Sequence, residues 1–212
     1  TFSGNEAAQI AYWPNTVPTE PKGIGDSLRG IYREFELVSN LLLRIFAHSL
    51  NLREDYFTDK IDRHFSILSC HHYPALIEPP RPGQLRTGAH TDFGALTILA
   101  MTDANGGLEV KMPDGHWRGV QAGRNELVVN LGDMMARWTN GRWRSTLHRV
   151  ANPKNLADAT SRRQSIGYFM HPNFDALVEC LPTCLDPGEQ PRYAPTTAGE
   201  HIAMKIAKSH DI

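Results

Sequence analysis

Two histidines and one carboxylate can hold a non-haem iron on one face of an octahedron, leaving the other positions open to substrate and O2. The stretch "GAHTDFGALTILA", residues 88–100, offers two of these three ligands in His90 and Asp92. In an extended segment, residues two apart point to the same side, so both side chains can reach one ion. The third ligand must come from another strand. Of the ten histidines, His148 is the best candidate. It sits late in "NGRWRSTLHRV", where strand alternation puts it on the face of Thr146 and Arg144. Taken alone, the His-x-Asp step is weak, because an aspartate capping a turn beside a solvated histidine looks the same.

The elements that would have to position these residues form a clear pattern. Residues 1–25 carry Pro14, Pro18 and Pro21 with scattered glycines and read as an extended lead-in. From Asp26 to about Leu50, apolar positions recur at three- and four-residue steps, which predicts a long amphipathic helix with Asp26 or Ser27 as N-cap. A short helix is expected around Arg53 to Ile61. Short apolar runs then follow one another: "FSILSCHHY", "GALTILAM", "GGLEVKM", "HWRGV", "ELVVNLGD", "WRSTLHRV" and "QSIGYFMHP". Turn signals separate them, "MPDGH" and "TNGRW" among them. Strands in series without intervening helices predict a mainly β domain over 26–212, an antiparallel sandwich or jelly roll with flanking helices. The tail "TTAGEHIAMKIAKS" returns to helix, with Thr197 and Glu200 at capping-box spacing.

Bulk properties narrow the partner. Lys plus Arg (22) balances Asp plus Glu (23), so the chain lacks the basic footprint of a nucleic-acid or anionic-lipid binder, and a small molecule is the expected partner. Oligomeric state is not legible. Cys70, Cys180 and Cys184 cannot all pair within the chain, which points to a reducing, cytoplasmic setting with three buried thiols. No apolar run is long enough to span a membrane, and the N-terminus shows no signal-peptide pattern. It also has no initiator Met, so the chain is expected to be a piece of something that begins earlier.

The blocks "AHTDFGALTIL", "GGLEVKMPDGHWRGV", "VVNLGDMMARWTNGRWRSTLHRV" and "RRQSIGYFMHP" resemble, in order and spacing, those of the isopenicillin N synthase-like family of Fe(II)/2-oxoglutarate-dependent dioxygenases. The resemblance runs from about residue 65 to 205 and implies a double-stranded β-helix (cupin-like) core. It places the family's metal triad on His90, Asp92 and His148. Its Arg-x-Ser clamp for the distal carboxylate of 2-oxoglutarate falls on Arg163 and Ser165. Arg162 is the rival, but only Arg163 has a serine two residues on. A planar guanidinium fork plus a hydroxyl suits a carboxylate well. The family's Asn-x-Tyr-Pro segment reads His71, His72, Tyr73, Pro74 here, so Tyr73 is retained while His71 departs from the pattern. The family's further N-terminal part is absent from this chain. The stretch between His148 and Arg163 is long for the family, which makes "NPKNLADATS" a candidate substrate lid.

Beyond the clamp, strand alternation predicts that Phe169 and His171 line the substrate space, with His71 nearby. Asp133 and Arg149 are expected to pair as scaffold residues. His116, His201 and His210 are expected to be solvated, and the Met and Trp residues of "MMARWTNGRW" to be core. The resemblance implies an oxygenase that uses Fe(II), O2 and 2-oxoglutarate to oxidise, by default hydroxylate, a small organic molecule, with succinate and CO2 as by-products. Two alternatives stand beside it. One is an oxidase of the isopenicillin N synthase type that uses the same triad without 2-oxoglutarate. The other is a catalytically silent jelly-roll binding module.

Overall fold

The computed structural model describes residues 18–102, 107–153 and 162–210, the side chains of the last two excepted. Its first element is helix α1 (Ile24–Ser49), which buries Tyr32, Phe35, Ser39, Leu43 and Ala47, one residue per turn on a single stripe. The N-cap is Gly23 rather than Asp26 or Ser27. The turn before the helix needs a left-handed residue (φ 87°), which glycine adopts without strain, so the lead-in ends two residues earlier than expected. Ser27 instead lies inside the first turn, where its hydroxyl donates to the Gly23 carbonyl (3.2 Å). The helix stops where Asn51 takes up φ 54°, a left-handed end that asparagine tolerates. Between Arg53 and Ile61 only α2 (Thr58–Ile61) is helical.

Eight of the strands that follow divide between two four-stranded antiparallel sheets. One has the order β1 (Ile67–Tyr73), β8 (Arg163–Met170), β3 (Leu96–Met101) and β6 (Val128–Leu131). The other has β2 (Thr87–His90), β7 (His148–Val150), β4 (Leu108–Lys111) and β5 (Trp117–Gly119). Apart from the β4–β5 hairpin, every connection along the chain crosses from one sheet to the other. That is the jelly roll expected from the sequence. The hairpin turns at Gly115 (φ 88°), and "TNG" turns at Asn140 and Gly141, both left-handed, so two of the sequence's turn signals reappear as positive φ.

The expectation of strands without intervening helices fails at Asp133–Trp138, which is helix α3. A third pair, β9 (Leu177–Val178) and β10 (Thr196–Thr197), leads into helix α4 (Ala198–His210). There the capping box forms as predicted. The Thr197 hydroxyl accepts from the Glu200 N–H (3.2 Å) and the Glu200 carboxylate accepts from the Thr197 N–H (2.9 Å).

Helix α1 covers the outer face of the first sheet. Tyr32 and Phe35 set their rings edge-on to Tyr168 (5.2 and 6.2 Å), and the Tyr32 hydroxyl donates to the Ser66 carbonyl (3.1 Å). Met134, Met135 and Trp138 are fully buried, as expected for "MMARW". Truncating a buried aromatic such as Trp138 to alanine costs about 3–5 kcal/mol.

The inner face of this sheet is read from its register, since directly opposed residues share a face. Tyr73 faces Arg163, and the next row holds His71, Ser165 and Met101. Beyond it lie Ser69, Gly167, Leu99 and Val128, and then Ile67, Phe169, Thr97 and Asn130.

Candidate metal centre

Strands β2 and β7 place His90 directly opposite His148, after a register shift between Thr87 and His90. Each ring is fixed by its own backbone. His90 Nδ1 lies 2.8 Å from the Gly88 carbonyl and His148 Nδ1 2.9 Å from the Thr146 carbonyl. A carbonyl only accepts, so Nδ1 donates to it in each ring and Nε2 is the nitrogen left to face a metal. The ring centroids are 4.3 Å apart.

Asp92 lies beyond the end of β2, so the turn into β3, not strand alternation, brings it to the histidines. Its Oδ1 is 3.9 Å from His90 Nε2 and 3.6 Å from His148 Nε2. Among the described residues these three form a group whose ligand atoms all lie within 4.8 Å of one another.

The other carboxylate oxygen is already engaged. Asp92 Oδ2 accepts from the Thr97 hydroxyl (2.6 Å) and from Asn130 Nδ2 (2.7 Å), which leaves Oδ1 turned toward the histidines. The backbone of the turn is held as firmly. The N–H groups of Asp133 and Met134, which open α3, donate to the carbonyls of Asp92 (2.8 Å) and Gly94 (3.0 Å). The first N–H groups of a helix have no partner within it, so the turn caps the helix and the helix clamps the turn. Gly94 and Gly132 permit this approach. A Cβ on Gly132 would lie 2.2 Å from the Gly94 carbonyl oxygen, and one on Gly94 2.3 Å from that of Met170.

Ser165 lies two rows from the one that holds Asp92 and Arg163 three, and they are 4% and 3% exposed. The Arg163 guanidinium stacks over the Tyr73 ring (5.2 Å) and donates through Nη2 to the Met101 sulfur (2.8 Å). Its Nη1 is buried without a partner, and burial lowers its pKa. A thioether is a weak acceptor, so this cation has unused donor capacity for an incoming carboxylate. The Tyr73 hydroxyl is 3.4 Å from that of Thr87. His71 stacks beside Tyr73 (6.2 Å), and its pKa is lowered by burial and then by Arg163, which favours a neutral ring.

Phe169 shares a row with Thr97 and Asn130, the two residues that hold Asp92. His171 falls past the end of β8. It is 7% exposed, its ring stacks on Phe65 (5.2 Å), and burial pushes its pKa down to about 4.

Four expectations need correction. Asp133 and Arg149 do not pair. Asp133 binds Lys205 (2.6 Å), while Arg149 binds Glu109 (2.7 Å) on the neighbouring strand and stacks over Trp117. His201 is buried at 4% exposure, because α4 packs it against Asp133, whereas His116 is exposed as expected. Of the three thiols only Cys184 is buried; Cys180 is half-buried and Cys70 exposed, although all are unpaired. His148 starts β7, so Arg144 and Thr146 lie outside the strand and do not share its alternation. Most of the candidate lid "NPKNLADATS", and the side chain of His210, fall outside the described residues.

Asn130 and Thr97 escaped sequence reasoning although a signal was there. Each is the lone polar residue in the apolar core of its strand ("LTIL" and "VVNL"), where an unpartnered side chain would be costly to bury.

The model of the 2OG-Fe(II) oxygenase superfamily matches residues 64–172, just over half of the chain and the part that carries both sites. The chain belongs to this superfamily. A curated superfamily relative from Emericella nidulans, the 2-oxoglutarate-Fe(II) type oxidoreductase hxnY, is 34% identical over 199 residues, covering 93% of this chain and 55% of its own length. The proline hydroxylase buaE of Petromyces alliaceus is 38% identical over 157 residues, 72% of this chain and 49% of its own. The chain thus spans about half the length of these relatives. Among solved structures, a full-length superfamily protein from Neurospora crassa in complex with alpha-KG superposes with a TM-score of 0.84 at 32% identity, covering 92% of this chain and 61% of that one. Fe(II) and 2-oxoglutarate are the metal and co-substrate for which the superfamily is named. The donors found here fit both: two imidazole nitrogens and one carboxylate oxygen for the metal, and a buried guanidinium with an unused N–H for a diacid.

Proposed function

We propose that this chain is the catalytic jelly-roll domain, residues 24–212 behind a short lead-in, of an oxygenase that oxidises, by default hydroxylates, a small organic molecule while consuming 2-oxoglutarate, giving succinate and CO2. The observation that carries the reading is the convergence of His90, Asp92 and His148, whose ligand atoms all lie within 4.8 Å of one another. When bound there, Fe(II) with 2-oxoglutarate and O2 supplies the oxidising chemistry, which the protein does not. The chain's own residues bind and orient. His90, Asp92 and His148 hold the metal, with Thr97 and Asn130 keeping Asp92 Oδ1 turned to it. Arg163 and Ser165 grip the distal carboxylate of 2-oxoglutarate, and Tyr73 flanks the guanidinium. His71, which departs from the Asn-x-Tyr-Pro pattern of the family the sequence resembles, lines the same end. Phe169, in the row next to Asp92, faces the substrate, and His171 backs that end as a buried neutral ring.

Two structures of one Neurospora crassa protein bound to alpha-KG, at TM-scores of 0.84 and 0.85, favour 2-oxoglutarate use over the oxidase alternative. The complete donor set speaks against a silent module. The relatives' names include a proline hydroxylase and a validamycin A dioxygenase, and the Neurospora crassa protein is also described with thymine. The shared class is therefore a small organic molecule, not one compound. Three unpaired thiols and a near-neutral charge favour a cytoplasmic enzyme without a nucleic-acid or membrane partner. Among the described residues no helix is long and apolar enough to cross a membrane.

The test is a screen of iron-loaded protein against amino-acid-derived, phenolic, heterocyclic and terpenoid candidates, reading succinate and oxidised product together. The expected result is a substrate that releases both in equal amounts. An oxidised product formed without 2-oxoglutarate would support the oxidase, and no iron uptake at all would support the silent module.

A further inference from the structure

Beside Thr91, a cavity of about 520 Å³ opens between α3, α4 and the loop that follows α3. Its wall is unusually cationic: Arg137, Arg144, Arg192, Lys205 and Lys208 line it, and Asp133 is its one acidic residue among the described residues. The whole chain has a formal net charge of −1, so this is a local concentration of charge, not general basicity. Lys205 is matched by Asp133 (2.6 Å), and Arg192 reaches Glu189 (3.4 Å). Arg137 is occupied with the Ala194 carbonyl (2.6 Å) and the Tyr193 ring. Arg144 and Lys208 have no ion-pair partner among the described residues. Like charges held around one cavity repel one another unless an anion sits between them.

A second observation concerns residues that line the same space. His201 lines the cavity at 4% exposure, and both of its ring nitrogens are buried without a hydrogen-bond partner. Asp133 Oδ2 stands 4.0 Å from its Nε2, too far to satisfy it. Two more lining groups are orphaned in the same way, the Ser145 hydroxyl and Arg137 Nε. Buried polar atoms are nearly always partnered in folded proteins, so these three residues lining one cationic cavity hold donors that an acceptor entering it could satisfy. The volume lies within the range of small-molecule sites.

We infer that this cavity is a binding site for a small anion bearing phosphate or carboxylate groups, separate from the 2-oxoglutarate clamp. Arg144 and Lys208 supply unmatched positive charge at its exposed edge, and Ser145, His201 and Arg137 supply donors at its base. The site shares a wall with the metal centre, because Thr91 stands between His90 and Asp92 and its hydroxyl donates to Asp133 (3.3 Å). The inference does not depend on the oxygenase reading.

Isothermal titration of the purified chain tests it, with inorganic phosphate as one probe and citrate as the other. Saturable one-to-one binding of at least one probe is expected, and the probe that binds more tightly identifies the anion's chemistry. Arg144→Gln and Lys208→Gln, made separately at exposed positions that the fold does not need, should each weaken it about tenfold. Arg163→Ala should leave it unchanged. No saturable binding of either probe would overturn the inference. So would binding that survives both cavity substitutions, or binding lost on Arg163→Ala, which would put the anion in the clamp.

Discussion

The two halves of the proposed active site are prepared in opposite ways. At the metal end every polar group has a fixed role before any ligand arrives. Two backbone carbonyls set the imidazoles, Thr97 and Asn130 take the spare carboxylate oxygen, and α3 pins the turn. At the clamp end Arg163 is buried with one nitrogen unpartnered and another resting on a sulfur. The difference teaches what each half is for. A metal needs geometry in advance, since its ligands must converge within tenths of an ångström. A diacid that comes and goes needs an unmet partner, because an arginine already saturated by the protein would have nothing left to offer it.

The contrast can be broken at several points. The largest effect is expected from Asp92→Ala, which leaves two imidazoles without the carboxylate. Iron uptake should be lost, together with the weak visible charge-transfer band that Fe(II) and 2-oxoglutarate give anaerobically. Next comes Arg163→Ala, which removes the charged half of a buried pair and costs about 2–5 kcal/mol. The KM for 2-oxoglutarate should rise about 100-fold while anaerobic iron binding persists. If both were lost together, the two halves would not be separable. Asn130→Ala and Thr97→Val release the second oxygen of Asp92, and outer-sphere changes of this kind cost about 10–100-fold in metal affinity. A competition titration with a chelator would read this, with KM for 2-oxoglutarate unmoved.

A smaller effect comes from His201, whose pKa burial and then Arg137 lower from 6.5 to about 4. The unfolded chain takes up a proton between those values that the folded chain refuses, so stability should fall as pH drops from 6.5 towards 4. Urea midpoints at several pH values should show a shallower fall in His201→Gln than in the wild type. The smallest effect is expected from Met101→Leu, which keeps volume and costs less than about 1.5 kcal/mol. Since the sulfur only stands in for a carboxylate, the KM for 2-oxoglutarate should stay within about twofold; a larger rise would show that Met101 is part of the clamp.

The strands and the grouping of His90, Asp92 and His148 were legible because their signals are local or ordered along the chain: apolar runs between glycine and proline turns, and histidine and aspartate within recognisable blocks. Helix α3 was not, because its first N–H groups are satisfied by the Asp92 and Gly94 carbonyls, far earlier in the chain in "HTDFG", rather than by a nearby capping side chain. The wrong pairing of Asp133 with Arg149 has the same origin. Both residues found partners on elements that only the fold brings near, Lys205 on α4 and Glu109 on β4. Thr97 and Asn130 could have been suspected as lone polar residues in apolar strands. That they oppose each other in register, and so meet one carboxylate, is a fact of sheet pairing.

The contact of Gly94 with Gly132 bears on how such a protein could be re-engineered. A library that varies Phe169, Leu99 or Ser69 changes the inner face of the first sheet while leaving the ligand-bearing turn where it is. Any side chain at position 94 or 132 would collide with a main-chain oxygen, at 2.3 Å and 2.2 Å respectively, and neither backbone can yield without carrying Asp92 or the start of α3 with it. On the proposed reading, substrate preference and metal capture would therefore rest on different residues, so the first could drift without endangering the second.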